Sequence, residues 1–154
     1  MEQLHRKSPR IPGYDYSAEG YYFITICTYV KKCIFWDGQE LNRFGMIAQK
    51  ELDQLESHYS RLRIDKCVVM PNHIHAIVVI GCDGKEGPLP DLNAVVGQYK
   101  SGVSRQIHKL APDLPVWQRS YYDHGIRYQT DYEKIWSYID SNPQRWRDDC
   151  YFEE

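Results

Sequence analysis

Nowhere in the 154 residues is there a run approaching the roughly 18 apolar residues that a membrane-spanning helix needs, so a soluble protein with no membrane partner is expected. The opening MEQLHRKSPRIPG is basic but lacks the apolar stretch of a signal peptide, which leads to the expectation of a cytoplasmic location. Paired cysteines are missing as well. Cys27, Cys33, Cys67, Cys82 and Cys150 are odd in number, scattered and never spaced CxxC, which argues against a disulfide framework and a cysteine zinc site and leaves reduced thiols. No glycine-rich phosphate loop is present, so no nucleotide cofactor is expected. A large charge of one sign is absent too: a net charge of -2 argues against coating nucleic acid by bulk phosphate neutralisation, so any nucleic-acid site has to be local. Positive charge does gather locally, in Arg6, Lys7 and Arg10 and again in Lys100, Arg105, Lys109, Arg119 and Arg127, while the tail beyond Asp140 is rich in acid. With 42% hydrophobic and 26% charged residues and no repeat, the chain has the length and composition of one globular domain.

Residues 1–20, with Pro9, Pro12, Gly13 and Gly20, read as an N-terminal surface arm, and residues 21–154 as a single domain. YYFITICTY (21–29) is aromatic and β-branched with strand alternation. Between Asn42 and Tyr59, Phe44, Ile47, Ala48, Leu52 and Leu55 recur at three- and four-residue steps and predict an amphipathic helix. Residues 62–70 and 73–80 are apolar runs parted by Pro71 and Asn72, which predicts adjacent antiparallel strands. Asp91 offers an N-cap to a helix with the stripe Leu92, Val95, Val96, Tyr99, Val103 and Ile107. VWQRSYYDHGIRY (116–128) predicts a fourth strand, and Thr130 with Glu133 has the capping-box spacing of a last helix that stops at Asn142, before Pro143. Strand, helix, strand, strand, helix, strand, helix is the order of an α+β, ferredoxin-like split βαβ sandwich. Such a fold has an antiparallel four- to five-stranded sheet with helices on one face and the other face free for a ligand.

In MPNHIHAIVVI the two-residue period of a strand puts His73 and His75 on one face, where adjacent imidazoles can chelate a divalent ion. An HxH also arises by chance in a chain with six histidines, and the residues alone leave both readings open. Tyr138 and Asn142, four apart on the last helix, present a phenol and an amide to the same side. Most of the 13 tyrosines serve packing or stacking, and local sequence does not set Tyr138 apart. Trp117, Tyr99, Tyr121 and Tyr122 can stack unpaired bases, with Lys100, Arg105, Arg119 and Arg127 tracking a nucleic-acid backbone. A non-catalytic ferredoxin-like nucleic-acid-binding module is therefore an alternative to an enzyme.

Four blocks, GYDYSAEGYYFITICT, MPNHIHAIV, WQRSYYDHGIR and DYEKIWSYIDSNPQRW, resemble in order and spacing the REP-associated tyrosine transposases. These are relatives of the single-tyrosine HUH transposases of small bacterial insertion sequences. The resemblance runs from about Arg10 to Trp146. It implies a metal-dependent transposase and single-strand endonuclease that cleaves and rejoins single-stranded or hairpin REP-like DNA through a 5′-phosphotyrosine. His73-Ile74-His75 falls on the HUH motif and Tyr138 on the nucleophile. Asn142 falls where the superfamily often has Gln as a further metal ligand. Mg2+ or Mn2+ is the implied cofactor; monomer and homodimer both stay open.

Overall fold

A computed structural model describes residues 18–152. The expected arm lies outside the described residues up to residue 17, together with Arg6, Lys7 and Arg10, and Gly20 already belongs to the first strand. The elements run β1 (Gly20–Cys27), β2 (Trp36–Asp37), β3 (Glu40–Leu41), α1 (Arg43–Leu55), β4 (Leu62–Val69), β5 (His73–Ile80), α2 (Leu92–His108), β6 (Tyr122–Ile126) and α3 (Gln129–Ser141). β4, β5, β1 and β6 form, in that order, a four-stranded sheet in which every pairing is antiparallel. This is the ferredoxin-like α+β sandwich expected from the order of elements. A small ribbon of β2 against β3 is added to it, too short to show in any alternation.

Local chemistry fixes the helix starts. The Asn42 side chain accepts the Gly45 N–H at 2.9 Å and opens α1, whose Ala48, Leu52 and Leu55 are buried. Asp91 caps α2 by accepting the Asn93 N–H, and the predicted stripe from Leu92 to Ile107 is buried throughout. Both helices pack on the face made by Tyr22, Ile24 and Ile26 of β1 and Ile74, Ala76, Val78 and Ile80 of β5. The opposite face is not bare. α3 lies across it, setting Ile135 and Ile139 against Phe23, Ile77 and Val79.

Three boundaries differ from the sequence reading. β1 ends at Cys27 because the chain then turns, with Val30 and Lys31 at positive φ. The fourth strand shrinks to Tyr122–Ile126, since the Trp117 indole donates to the Lys100 carbonyl and packs on Phe35 and Tyr99, which draws residues 116–120 toward α2. α3 starts two residues earlier than the Thr130–Glu133 capping box would set, with Tyr128 at the N-cap and no side-chain cap. Asn142 keeps a helical backbone (φ -56, ψ -46) although it precedes proline, and the chain continues into a 3₁₀ turn over Pro143–Asp148. No helix among the described residues is long and apolar enough to cross a membrane.

Candidate active site and metal centre

Strand alternation on β5 sends Ile74 and Ala76 under the helices α1 and α2 and sends His73 and His75 to the α3 face, where both are fully buried with ring centroids 4.5 Å apart. Each imidazole is held through Nδ1. His73 Nδ1 meets Asn72 Oδ1 at 2.8 Å, and the Asn72 amide is committed to the Lys31 and Tyr151 carbonyls. Asn72 Oδ1 therefore accepts, His73 Nδ1 carries the proton, and in the neutral ring the lone pair is on Nε2. His75 Nδ1 meets Thr25 Oγ1 at 2.9 Å, across the register that pairs Thr25 with His75. Partners on the outer nitrogen of this kind fix the tautomer and ring orientation of metal-binding histidines.

A carboxylate enters from the far side. After the 3₁₀ turn the chain brings Asp149, its side chain fully buried, so that Oδ2 lies 3.7 Å from His73 Nε2. Donor atoms of His73, His75 and Asp149 all lie within 4.8 Å of one another. Burial pushes the Asp149 carboxyl up from its usual range, against the Tyr151 N–H and the Asn142 side chain, which favour the charged form. Asp149 Oδ2 and Asn142 Oδ1 are buried oxygens that accept no hydrogen bond among the described residues. Two such oxygens beside two oriented imidazoles suit a divalent cation, whose charge would offset a carboxylate otherwise costly to bury.

Tyr138 completes the cluster. One α3 turn before Asn142, its ring is half-buried, 5.4 Å from the His75 ring and edge-on to Phe23 at 6.4 Å. Burial pushes its phenol well above the ordinary tyrosine value, and the Asp149 charge adds to that; the Asn142 hydrogen bond and the Arg145 guanidinium pull the other way. The half-buried Tyr138 faces a cleft of about 730 Å³, with Ser137, Ser141, Lys134 and Arg145 along its walls and residue 149 in its lining.

His73, His75, Tyr138 and Asn142 are thus brought together, and Asp149 is the member that sequence reasoning missed. Its only signal was the acid-rich tail; neither periodicity nor spacing pointed to it. The other candidates stand elsewhere. Lys100 donates to the Gln118 and Ser120 carbonyls, and with the half-buried Trp117 it fastens the 116–120 segment to α2. Tyr99 and Tyr121 are buried, with hydroxyls donating to the Ala48 carbonyl and Asn93 Oδ1. Arg105, Arg119 and Arg127 are exposed. None of these residues lines the Tyr138 cleft.

No protein-family model matches the chain. An uncharacterized protein of Haemophilus influenzae is 34% identical over 94% of this chain and 92% of its own length. Among solved structures, a REP-associated tyrosine transposase bound to a REP hairpin is similar with a TM-score of 0.60 and 19% identity, over 90% of this chain and 74% of that one. A candidate transposase from Deinococcus radiodurans R1 is similar at 17% identity with a TM-score of 0.49, over 86% of this chain and 97% of that one.

Proposed function

The chain belongs to the family of the Haemophilus influenzae protein and has the fold of the REP-associated tyrosine transposases, and from that premise we propose that it cleaves and rejoins single-stranded or hairpin DNA through Tyr138. Residues 21–154 act as one HUH catalytic domain. His73, His75 and Asp149 would hold Mg2+ or Mn2+, with Asn142 linking that set to the nucleophile. The observation that carries this reading is the meeting of the Tyr138 ring with the His75 ring beneath α3, where one amide, Asn142, serves both Tyr138 and Asp149.

In the reaction the Tyr138 oxygen forms a bond to phosphorus as the bond to the 3′ oxygen breaks. The phenol proton passes to solvent in the cleft, and the departing 3′ oxygen takes one up. The products are a 5′-phosphotyrosine and a free 3′-hydroxyl. The phosphodiester energy is conserved in the new bond, so attack by a 3′-hydroxyl rejoins DNA without a nucleotide cofactor. An ordinary tyrosine is only ~0.1% ionised at neutral pH, and burial leaves Tyr138 less, so positioning carries much of the work. Asn142 orients the hydroxyl from the last turn of α3, and the α3 packing of Ile135 and Ile139 holds the helix to the sheet that carries the histidines. A divalent cation bound here would polarise the scissile phosphate and offset the Asp149 charge.

Tyr138→Phe should abolish the covalent protein–DNA adduct on hairpin oligonucleotides with Mg2+ or Mn2+ while leaving DNA binding intact. An adduct that persists refutes the nucleophile; DNA binding without an adduct in the wild type favours the non-catalytic module. The meeting of Tyr138 and the histidines within one chain supports catalysis in cis. Mixing Tyr138→Phe with His73→Ala/His75→Ala protein should then restore no adduct.

A further inference from the structure

Around the Pro143–Asp148 turn lies a second, larger groove of about 1040 Å³, between that turn and the β2–β3 ribbon. Its walls are aromatic and basic: Trp36, Trp146 and Phe152, with Arg145 and Arg147, and Gln144 beside them. The Trp36 indole N–H is tied to the Val69 carbonyl at 2.9 Å, which fixes that ring as one wall. Trp146 and Phe152 meet at 5.1 Å with an interplanar angle of 61° and form the other. Cys33 is also on the lining, and among the described residues Asp148 is the single carboxylate there. Arg145 and Asp148 line this groove and the Tyr138 cleft alike, so the two hollows share a wall.

We infer that this groove seats the unpaired DNA that continues from the scissile phosphate, bases stacked against Trp146 and Phe152 and phosphates against Arg145 and Arg147. The inference rests on the cleavage reading, which places a scissile phosphate at Tyr138. Trp146 also packs on the His73 ring, with centroids 6.1 Å apart, but the cleavage chemistry does not call for Trp36 and Phe152 around it, whereas a single strand needs both π-faces and cations along its path. Charge complementarity favours a polyanion over an acidic peptide or a second copy of this chain, and the continuity across Arg145 sets the path.

The test uses the full chain and three fluorescent oligonucleotides: one blunt hairpin, the same hairpin with an unpaired 5′ tail, and the same with an unpaired 3′ tail. One tailed hairpin should bind more tightly than the blunt one. Arg147→Ala should weaken that tailed complex about fivefold and lower its salt slope by about 0.7, leaving the blunt hairpin unchanged. Lys50→Ala, at an exposed position of α1, should change neither. Tail binding should quench tryptophan fluorescence, and Trp146→Phe should remove that quenching. A tail that adds no affinity, or an Arg147→Ala protein matching Lys50→Ala, overturns the groove, as does an effect of Arg147→Ala on self-association alone. Adduct formation on the same samples separates the two claims. An adduct without a tail effect overturns the groove alone, and an Arg147-dependent tail effect without an adduct upholds the groove and overturns the cleavage reading.

Discussion

The two faces of the sheet come from the same strands and are built for opposite ends. Beneath α1 and α2, alternate residues of β1 and β5, from Tyr22 to Ile26 and from Ile74 to Ile80, join the helix stripes in one continuous apolar core. Beneath α3 the intervening residues divide along the strands. Phe23, Ile77 and Val79 make a small patch with Ile135 and Ile139, and at the other end Thr25, His73 and His75 face Asp149 and Asn142. A polar cluster of this kind is tolerable because the large core on the other face supplies most of the burial, which leaves a few buried polar groups for function.

The comparison breaks first if the faces contribute equally to stability. Ile74→Ala empties a fully buried position under the helices and should cost about 3–4 kcal/mol in denaturant unfolding, while the folded protein keeps its cation affinity. His75→Ala, on the next residue and the other face, should instead abolish stabilisation by Mg2+ or Mn2+ at a smaller cost to the metal-free fold. Equal losses from both would show that the faces are not specialised.

The next prediction separates the two oxygen donors. Asp149→Ala should weaken Mn2+ binding about 100-fold, and Asn142→Ala only about tenfold, since it acts through Asp149 and Tyr138. Isothermal titration gives both values. The reverse ranking would make Asn142 the ligand and Asp149 its support. Asp149→Asn should also raise the unfolding free energy of the metal-free protein by about 1 kcal/mol, because a buried charge is removed from the functional face. A loss of stability would mean that the carboxylate is well compensated by the protein alone.

What the sequence made legible follows from what repeats. Alternation placed His73 and His75 together, and the 3.6-residue period found α1 and the full stripe of α2, because burial on one face imposes those periods. The i, i+4 spacing put Tyr138 and Asn142 on one side of α3. Asp149 was not legible: it reaches the site through an irregular 3₁₀ turn, whose middle residue Arg145 leaves helical geometry (φ -114, ψ 24), so spacing says nothing about where it points. The Trp117 segment misled for a related reason. Aromatic content suggested an unbroken strand over 116–128; residues 116–118 do pair with the chain just past β1 through the Thr28–Trp117 bridge, but one indole N–H and the Lys100 ammonium tie the segment to α2 and interrupt the ladder before Tyr122, through tertiary contacts that composition does not encode.

The smallest expected effect concerns how α3 is held. α1 and α2 are held to the sheet by apolar area, which does not titrate, with the buried Tyr99 hydroxyl tying α2 to the Ala48 carbonyl of α1; the N-terminal half of α3 is pinned in addition by a carboxylate on edge strand β4. There a bulge between Ile64 and Lys66 brings out Asp65, which accepts the Tyr132 hydroxyl at 2.7 Å and the Arg63 guanidinium. Burial alone would raise the Asp65 carboxyl, but the Arg63 and Tyr132 bonds outweigh it and hold it below the usual range. Tyr132 is pushed up to about 12, by burial first and then by the Asp65 bond. Asp65 therefore contributes stability that is full above its unfolded value near 3.9 and lost as pH falls through its lower folded one; the Tyr132 share is full below about 10 and lost as pH rises through about 12. Asp65→Asn should cost about 1 kcal/mol at neutral pH, and its deficit against the wild type should shrink below pH 4 as the wild-type carboxyl protonates. Stability curves of the two proteins that run parallel from pH 7 to pH 3 would show that the Asp65 carboxylate does not hold α3.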